Sequence, residues 1–131
     1  MALKPQEKRE FIRVPFNTEV EIQAGNRTIR SKSGINISLT GLHAATDQEE
    51  VPPAGTSCCA KIILRASETR VVIEAKGTVV RSRPGSLAVE FTELDLDSYN
   101  HLRQLIINNA DDPGRAEQEF VDHWGIRRPS L

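Results

Sequence analysis

At 131 residues the chain is long enough to bury one core and too short for two well-formed ones. Its formal net charge of −1 argues against a general nucleic-acid binder, which carries a basic excess over much of its surface. Two adjacent cysteines, no charged-then-apolar leader and no apolar run near the ~20 residues of a membrane span predict a soluble, reduced, cytoplasmic protein.

Residues 1–13 are polar and without a sustained period, which predicts a flexible N-terminal arm. Lys4, Lys8, Arg9 and Arg13 outnumber Glu7 and Glu10 there, whereas residues 93–125 hold eight acidic side chains against Arg103 and Arg115. A basic arm ahead of an acidic tail makes the arm the seat for an anionic ligand. From Val14 to Phe91 the apolar period is two. Phe16, Val20 and Ile22 predict one half-buried strand, Gly25-Asn26 a turn, and Thr28 to Ile37 the returning strand. Leu42 to Thr46 is a short strand, and Asp47 to Gly55, with Pro52-Pro53, is a loop.

Thr56 to Ala66 reads as a strand with Cys58, Ala60, Ile62 and Leu64 on one face. Val71, Ile73, Ala75 and Val79 continue the pattern to about Arg83. Pro84-Gly85-Ser86 is a tight turn, and Leu87, Val89 and Phe91 line the last strand. One-sided strands with short turns predict a closed antiparallel barrel of about six strands. After Phe91 the period becomes helical, with Asp95 or Asp97 as cap and Leu96, Tyr99, Leu102 and Ile106 recurring at three- and four-residue steps. Asp111-Asp112-Pro113-Gly114 breaks this helix, and a second runs from about Arg115 to Trp124, with Phe120 and Trp124 as packing residues.

Two motifs carry the chemistry. Arg9-Glu10-Phe11-Ile12-Arg13 places two guanidinium forks four residues apart, on one side of an extended arm, with Phe11 or Ile12 free to anchor it. A guanidinium engages guanine O6 and N7 bidentately and pairs in the same way with phosphate. Asn36-Ile37-Ser38-Leu39-Thr40-Gly41 then places an amide and a hydroxyl on one face of extended chain, where both could meet a base edge or phosphate. Gly41 supplies freedom at φ > 0 and close approach to the backbone. Each motif alone has a plainer reading: a solvated charge cluster for the first, an Asx- or Ser-stabilised turn for the second.

In this order and spacing the two motifs resemble the PilZ family, bacterial receptor domains for the second messenger cyclic di-GMP. The family pattern is R-x-x-x-R followed by [D/N]-x-S-x-x-G, and Arg9, Arg13, Asn36, Ser38 and Gly41 all match it. Gly77 to Arg81 and Val89 to Phe91 are similar to the family's later strands, so the resemblance covers about residues 5–95. It implies a mainly β, six-stranded antiparallel PilZ-type β-barrel over 14–94, an arm over 1–13 and a C-terminal helical extension over 95–131. It further implies cyclic di-GMP as ligand, a downstream protein partner, arm ordering on binding, and a homodimer as one possible assembly. The alternative is a module of the same fold that works by protein contact without nucleotide. Arg81 reads either as a reach toward the ligand or as a solvent-facing residue.

Catalysis has no visible machinery: no Gly-rich phosphate loop, nucleophile elbow or paired acidic site is present. His43, His101 and His123 lack metal-ligand spacing to one another and to the cysteines, which predicts no metal and no cofactor besides the ligand. Cys58 and Cys59 point to opposite faces of their strand, one inward and one partly exposed. With aromatics at 5% of the chain, a stacking surface for RNA or single-stranded DNA is not expected.

Overall fold

The computed structural model describes residues 12–16, 18–31, 35–48, 50–66 and 69–123. Eight strands form a single antiparallel sheet: β1 (Val14–Phe16), β2 (Glu19–Ala24), β3 (Arg27–Ser31), β4 (Ile35–Ile37), β5 (Gly41–Ala45), β6 (Ser57–Ala66), β7 (Thr69–Arg83) and β8 (Ser86–Leu94). Their order across the sheet is β1-β4-β5-β8-β7-β6-β2-β3. Helices α1 (Leu96–Asn109) and α2 (Pro113–His123) follow.

The mainly β class, with a helical extension, is as expected from the sequence. The strand number is eight rather than six. Val14–Phe16 pairs with β4, whereas Glu19–Ala24 pairs with β3 and β6, so one predicted strand is two on opposite sides of the sheet. The predicted return strand divides in the same way into β3 and β4. Val14, Phe16, Val20 and Ile22 keep a common parity, and a period of two carries no signal of a change of partner.

No ladder joins β1 to β3 among the described residues, so the sheet curls without closing by backbone pairing. Side chains cover the β3 edge instead. Gln48 Oε1 accepts from the Arg30 amide at 3.2 Å and Gln48 Nε2 donates to the Thr28 carbonyl at 3.5 Å. Thr46 Oγ1 donates to the Arg30 carbonyl at 3.0 Å. The loop after β5 thus answers backbone groups that an edge strand leaves open.

Inward residues of every strand fill one core, with Ile22, Ile29, Ile62, Ile73, Val79 and Phe91 each at most 1% exposed. Two tight turns set the hairpins: Gly25 at φ 65° between β2 and β3, and Pro84-Gly85, with Gly85 at φ 87°, between β7 and β8. A proline followed by a positive-φ glycine is the type II arrangement. Asp95 caps α1, its carboxylate accepting from the Ser98 amide at 2.7 Å. Ser98 Oγ in turn accepts from the Glu74 amide at 2.9 Å, fixing the helix start on β7.

Helix α1 packs against β7 and the edge strand β1, strands four places apart in the sheet order. Ser98, Tyr99, Leu102, Leu105 and Ile106 are its buried residues. The Asp-Pro segment does more than stop α1. Asp112 accepts from the Arg115 amide at 3.1 Å, and Pro113 is the first helical residue of α2, where its missing N–H costs nothing. Tyr99 and Phe120 meet edge to face at 5.6 Å and 77°, joining the helices with the Arg103–Glu117 ion pair at 2.7 Å. Trp124 lies outside the described residues.

Candidate functional site

The N-x-S-x-x-G segment is the β4–β5 hairpin. The Ser38 amide donates to the Gly41 carbonyl at 2.8 Å, and Ser38 Oγ accepts from the Thr40 amide at 3.2 Å. Leu39 plugs into the core at 2% exposure, and the Thr40 carbonyl accepts from the Phe91 amide at 2.8 Å. Ser38 is itself buried, whereas Asn36 is exposed. The two side chains therefore do not share an open face: the chain leaves the strand after Ile37, and the turn carries the serine inward.

Gly41 is not among the glycines at positive φ. Its requirement is space. A Cβ there would sit 2.2 Å from the Val89 carbonyl oxygen, and one on Gly77 would sit 2.5 Å from that of Glu90. Glycines on β5 and β7 thus let β8 pass closely between them, which sharpens the curl of the sheet.

Asn36 belongs to a row that crosses the outer face. Pro15 on β1, Asn36 on β4, His43 on β5, Ala88 on β8 and Arg81 on β7 are successive cross-strand partners. Arg13, exposed, is one residue before β1, and continuing the β1–β4 register sets it opposite Ser38. Ile12, its neighbour, is half-buried against the core. Arg9 and Phe11 lie outside the described residues. The structure thus brings Arg13, Asn36 and the Ser38–Gly41 turn to one end of the outer face. Arg81 is exposed, two strands from His43, and Val80 beside it bulges outward at 51% exposure.

Sequence reasoning did not set His43 opposite Asn36. The signal was present, because a turn centred on Leu39-Thr40 pairs position 36 with position 43 by counting. It missed Glu119 too, whose carboxylate accepts from the Ile12 amide at the root of the arm. No local pattern encodes that contact.

A separate cleft of about 560 Å³ lies between β2, β6, β7 and the start of α1, and none of the described motif residues lines it. Lys61 and Glu74, on its wall, neutralise each other at 3.7 Å. Among the described residues no group of three or more His, Cys, Asp or Glu side chains could hold a metal ion. No helix among them is long and apolar enough to cross a membrane.

The family model for the PilZ domain matches residues 7–108. The chain belongs to the PilZ domain family. PilZ domains are a known family of cyclic di-GMP receptors, binding domains rather than enzymes. Among solved structures, this PilZ chain resembles the Bacillus subtilis inhibitor of motility (MotI/DgrA), at 23% identity and TM-score 0.61. That match covers 76% of this chain and 50% of the inhibitor, so the present chain spans about half of that protein's length. It also resembles the PilZ domain of CeSA from a cellulose-synthesizing bacterium, at 14% identity and TM-score 0.56, over 73% of this chain and 95% of that one. At these identities both likenesses speak for the fold.

Proposed function

We propose that this PilZ domain is a bacterial, cytoplasmic receptor for cyclic di-GMP that passes ligand occupancy to a protein partner. The observation that carries the reading is the placement of exposed Arg13 beside exposed Asn36 on one outer face, next to the hairpin built by Ser38 and Gly41. Arg9 and Arg13 grip guanine and phosphate, and Asn36 meets a base edge. Ser38 and Gly41 hold the turn that presents the amide. Cyclic di-GMP is anionic and carries two guanines, so a pair of guanidinium forks matches both of its recognisable parts. Ordering the arm costs conformational entropy, which the arginine contacts have to exceed.

A protein-contact module without nucleotide is the second reading. It is favoured by one fact: turn formation and the passage of β8 account for Ser38 and Gly41 without any ligand. Titration calorimetry with cyclic di-GMP, with GTP as control, separates the two. Selective binding lost in the Arg9→Ala/Arg13→Ala protein supports the receptor. No heat and no thermal stabilisation at high ligand excess overturns it and favours protein contact.

A further inference from the structure

The cross-strand partner of Asn36 is a histidine. Side chains of directly opposed antiparallel residues stand about 4.5–5.5 Å apart at Cβ, within reach of one ligand group. His43 is half-buried and faces outward, since its neighbours Leu42 and Ala44 are in the core. On its far side stands Ala88, a small residue that brings no charge or hydrogen-bonding side chain. No motif position assigns a role to this residue.

We propose that His43 is a further ligand contact, and that its protonation makes binding of cyclic di-GMP pH-dependent. The inference rests on the receptor reading above. Imidazole is the side chain whose ordinary titration falls between pH 5 and 8, and each phosphodiester of the ligand is an anion in that range. A charged imidazole beside the phosphate favours the complex, so the complex binds protons more tightly than the free protein. Affinity therefore rises as pH falls, and binding takes up protons.

The charged groups around His43 come from three places in the fold. Arg13 precedes β1, Glu90 is a diagonal neighbour on β8 through the Gly41 pair, and Arg81 and Arg83 lie on β7 beyond Ala88 and Ser86. On β4 the facing residue, Asn36, is neutral. Lys32 and Arg9 lie outside the described residues. Guanidinium groups as a class are charged throughout this range, and carboxyl groups as a class titrate below it. The imidazole is thus the group whose charge changes.

The test is calorimetry of the full chain with cyclic di-GMP at pH 6, 7 and 8, in two buffers of different ionisation enthalpy at each pH. The wild type is expected to bind about three- to tenfold more tightly at pH 6 than at pH 8 and to take up protons at pH 7. His43→Gln is expected to lose the pH 6 gain, so that its affinity varies little between pH 6 and pH 8, and to take up no protons. His43→Lys should bind at pH 8 as the wild type does at pH 6. His101→Gln, exposed on α1, should behave as wild type, and equal melting temperatures confirm that the variants fold. A wild-type pH slope and proton uptake retained in His43→Gln would overturn the assignment while leaving the receptor intact. No binding by any protein at any pH overturns the receptor itself.

Discussion

The backbone amide of Ile12 donates to both carboxylate oxygens of Glu119, at 2.9 and 3.1 Å, across a sequence separation of 107 residues. Glu119 lies on α2 with its side chain only 14% exposed, and Arg115 one turn earlier stands 3.8 Å from it. The root of the arginine-bearing arm is therefore tied to the C-terminal extension. Glu119→Ala is expected to lose about 1.5–3 kcal/mol in urea unfolding, because the bond is to a charged acceptor. Glu119→Gln, which keeps an acceptor, should lose less. Trypsin should cut at Arg13 faster in the alanine variant, and equal cleavage rates would refute the tie.

Gly41→Ala tests whether this position serves the fold or the ligand. The new methyl would meet the Val89 carbonyl at 2.2 Å, and neither backbone can yield without disturbing the β5–β8 ladder. A loss of about 1–3 kcal/mol is expected in ligand-free protein, of the size seen on overpacking. Unchanged stability with reduced ligand affinity would instead assign the glycine to close approach by the nucleotide.

Asn36 and Ser38 are predicted to separate. Asn36 is exposed, so Asn36→Ala should leave stability within about 0.5 kcal/mol and act on ligand affinity. Ser38→Ala removes the oxygen that accepts from the Thr40 amide and should cost about 1 kcal/mol of stability. Thermal melts of the two apo proteins, paired with calorimetry, resolve the difference. Equal melting losses would mean that Asn36 also carries the turn.

The two cysteines should react in sequence. Burial, and then the neighbouring Cys59, push the Cys58 thiol up to about 11. Alkylation at pH 8 should modify partly exposed Cys59 first, with Cys58 following at the rate of unfolding. The protonated thiol is the form the fold favours. That contribution is whole below about pH 9, the ordinary value, and fades as pH rises toward 11. Replacing Cys58 by alanine should flatten the alkaline limb of stability over that range.

Some of this was legible in the residues. A helix cap at Asp95 or Asp97 and a turn at Pro84-Gly85 are local signals; the cap is Asp95, and the turn lies where the sequence puts it. The division of Val14–Ile22 between two sides of the sheet was not legible, since pairing partners leave no mark on a period of two. Gly41 was read for freedom at φ > 0 and for close approach by a ligand; its φ is not positive, and a close approach that it does allow is that of β8. Ser38 was read as sharing an open face with Asn36, as it would in extended chain, but the turn after Ile37 carries it inward. The Glu119 tie depends on how α2 packs against α1 and so reaches Ile12, which only tertiary packing decides.

Gln48 gives the β3 edge a further consequence. Its side-chain amide presents one acceptor and one donor to Arg30 and Thr28, as a peptide group of a neighbouring strand would. A single residue thus counterfeits a short length of backbone at the seam. A second chain arriving there would have to displace a partner already attached to the same molecule, at an effective concentration no intruder matches. The edge is thus defended by tethering rather than by a further ladder between strands.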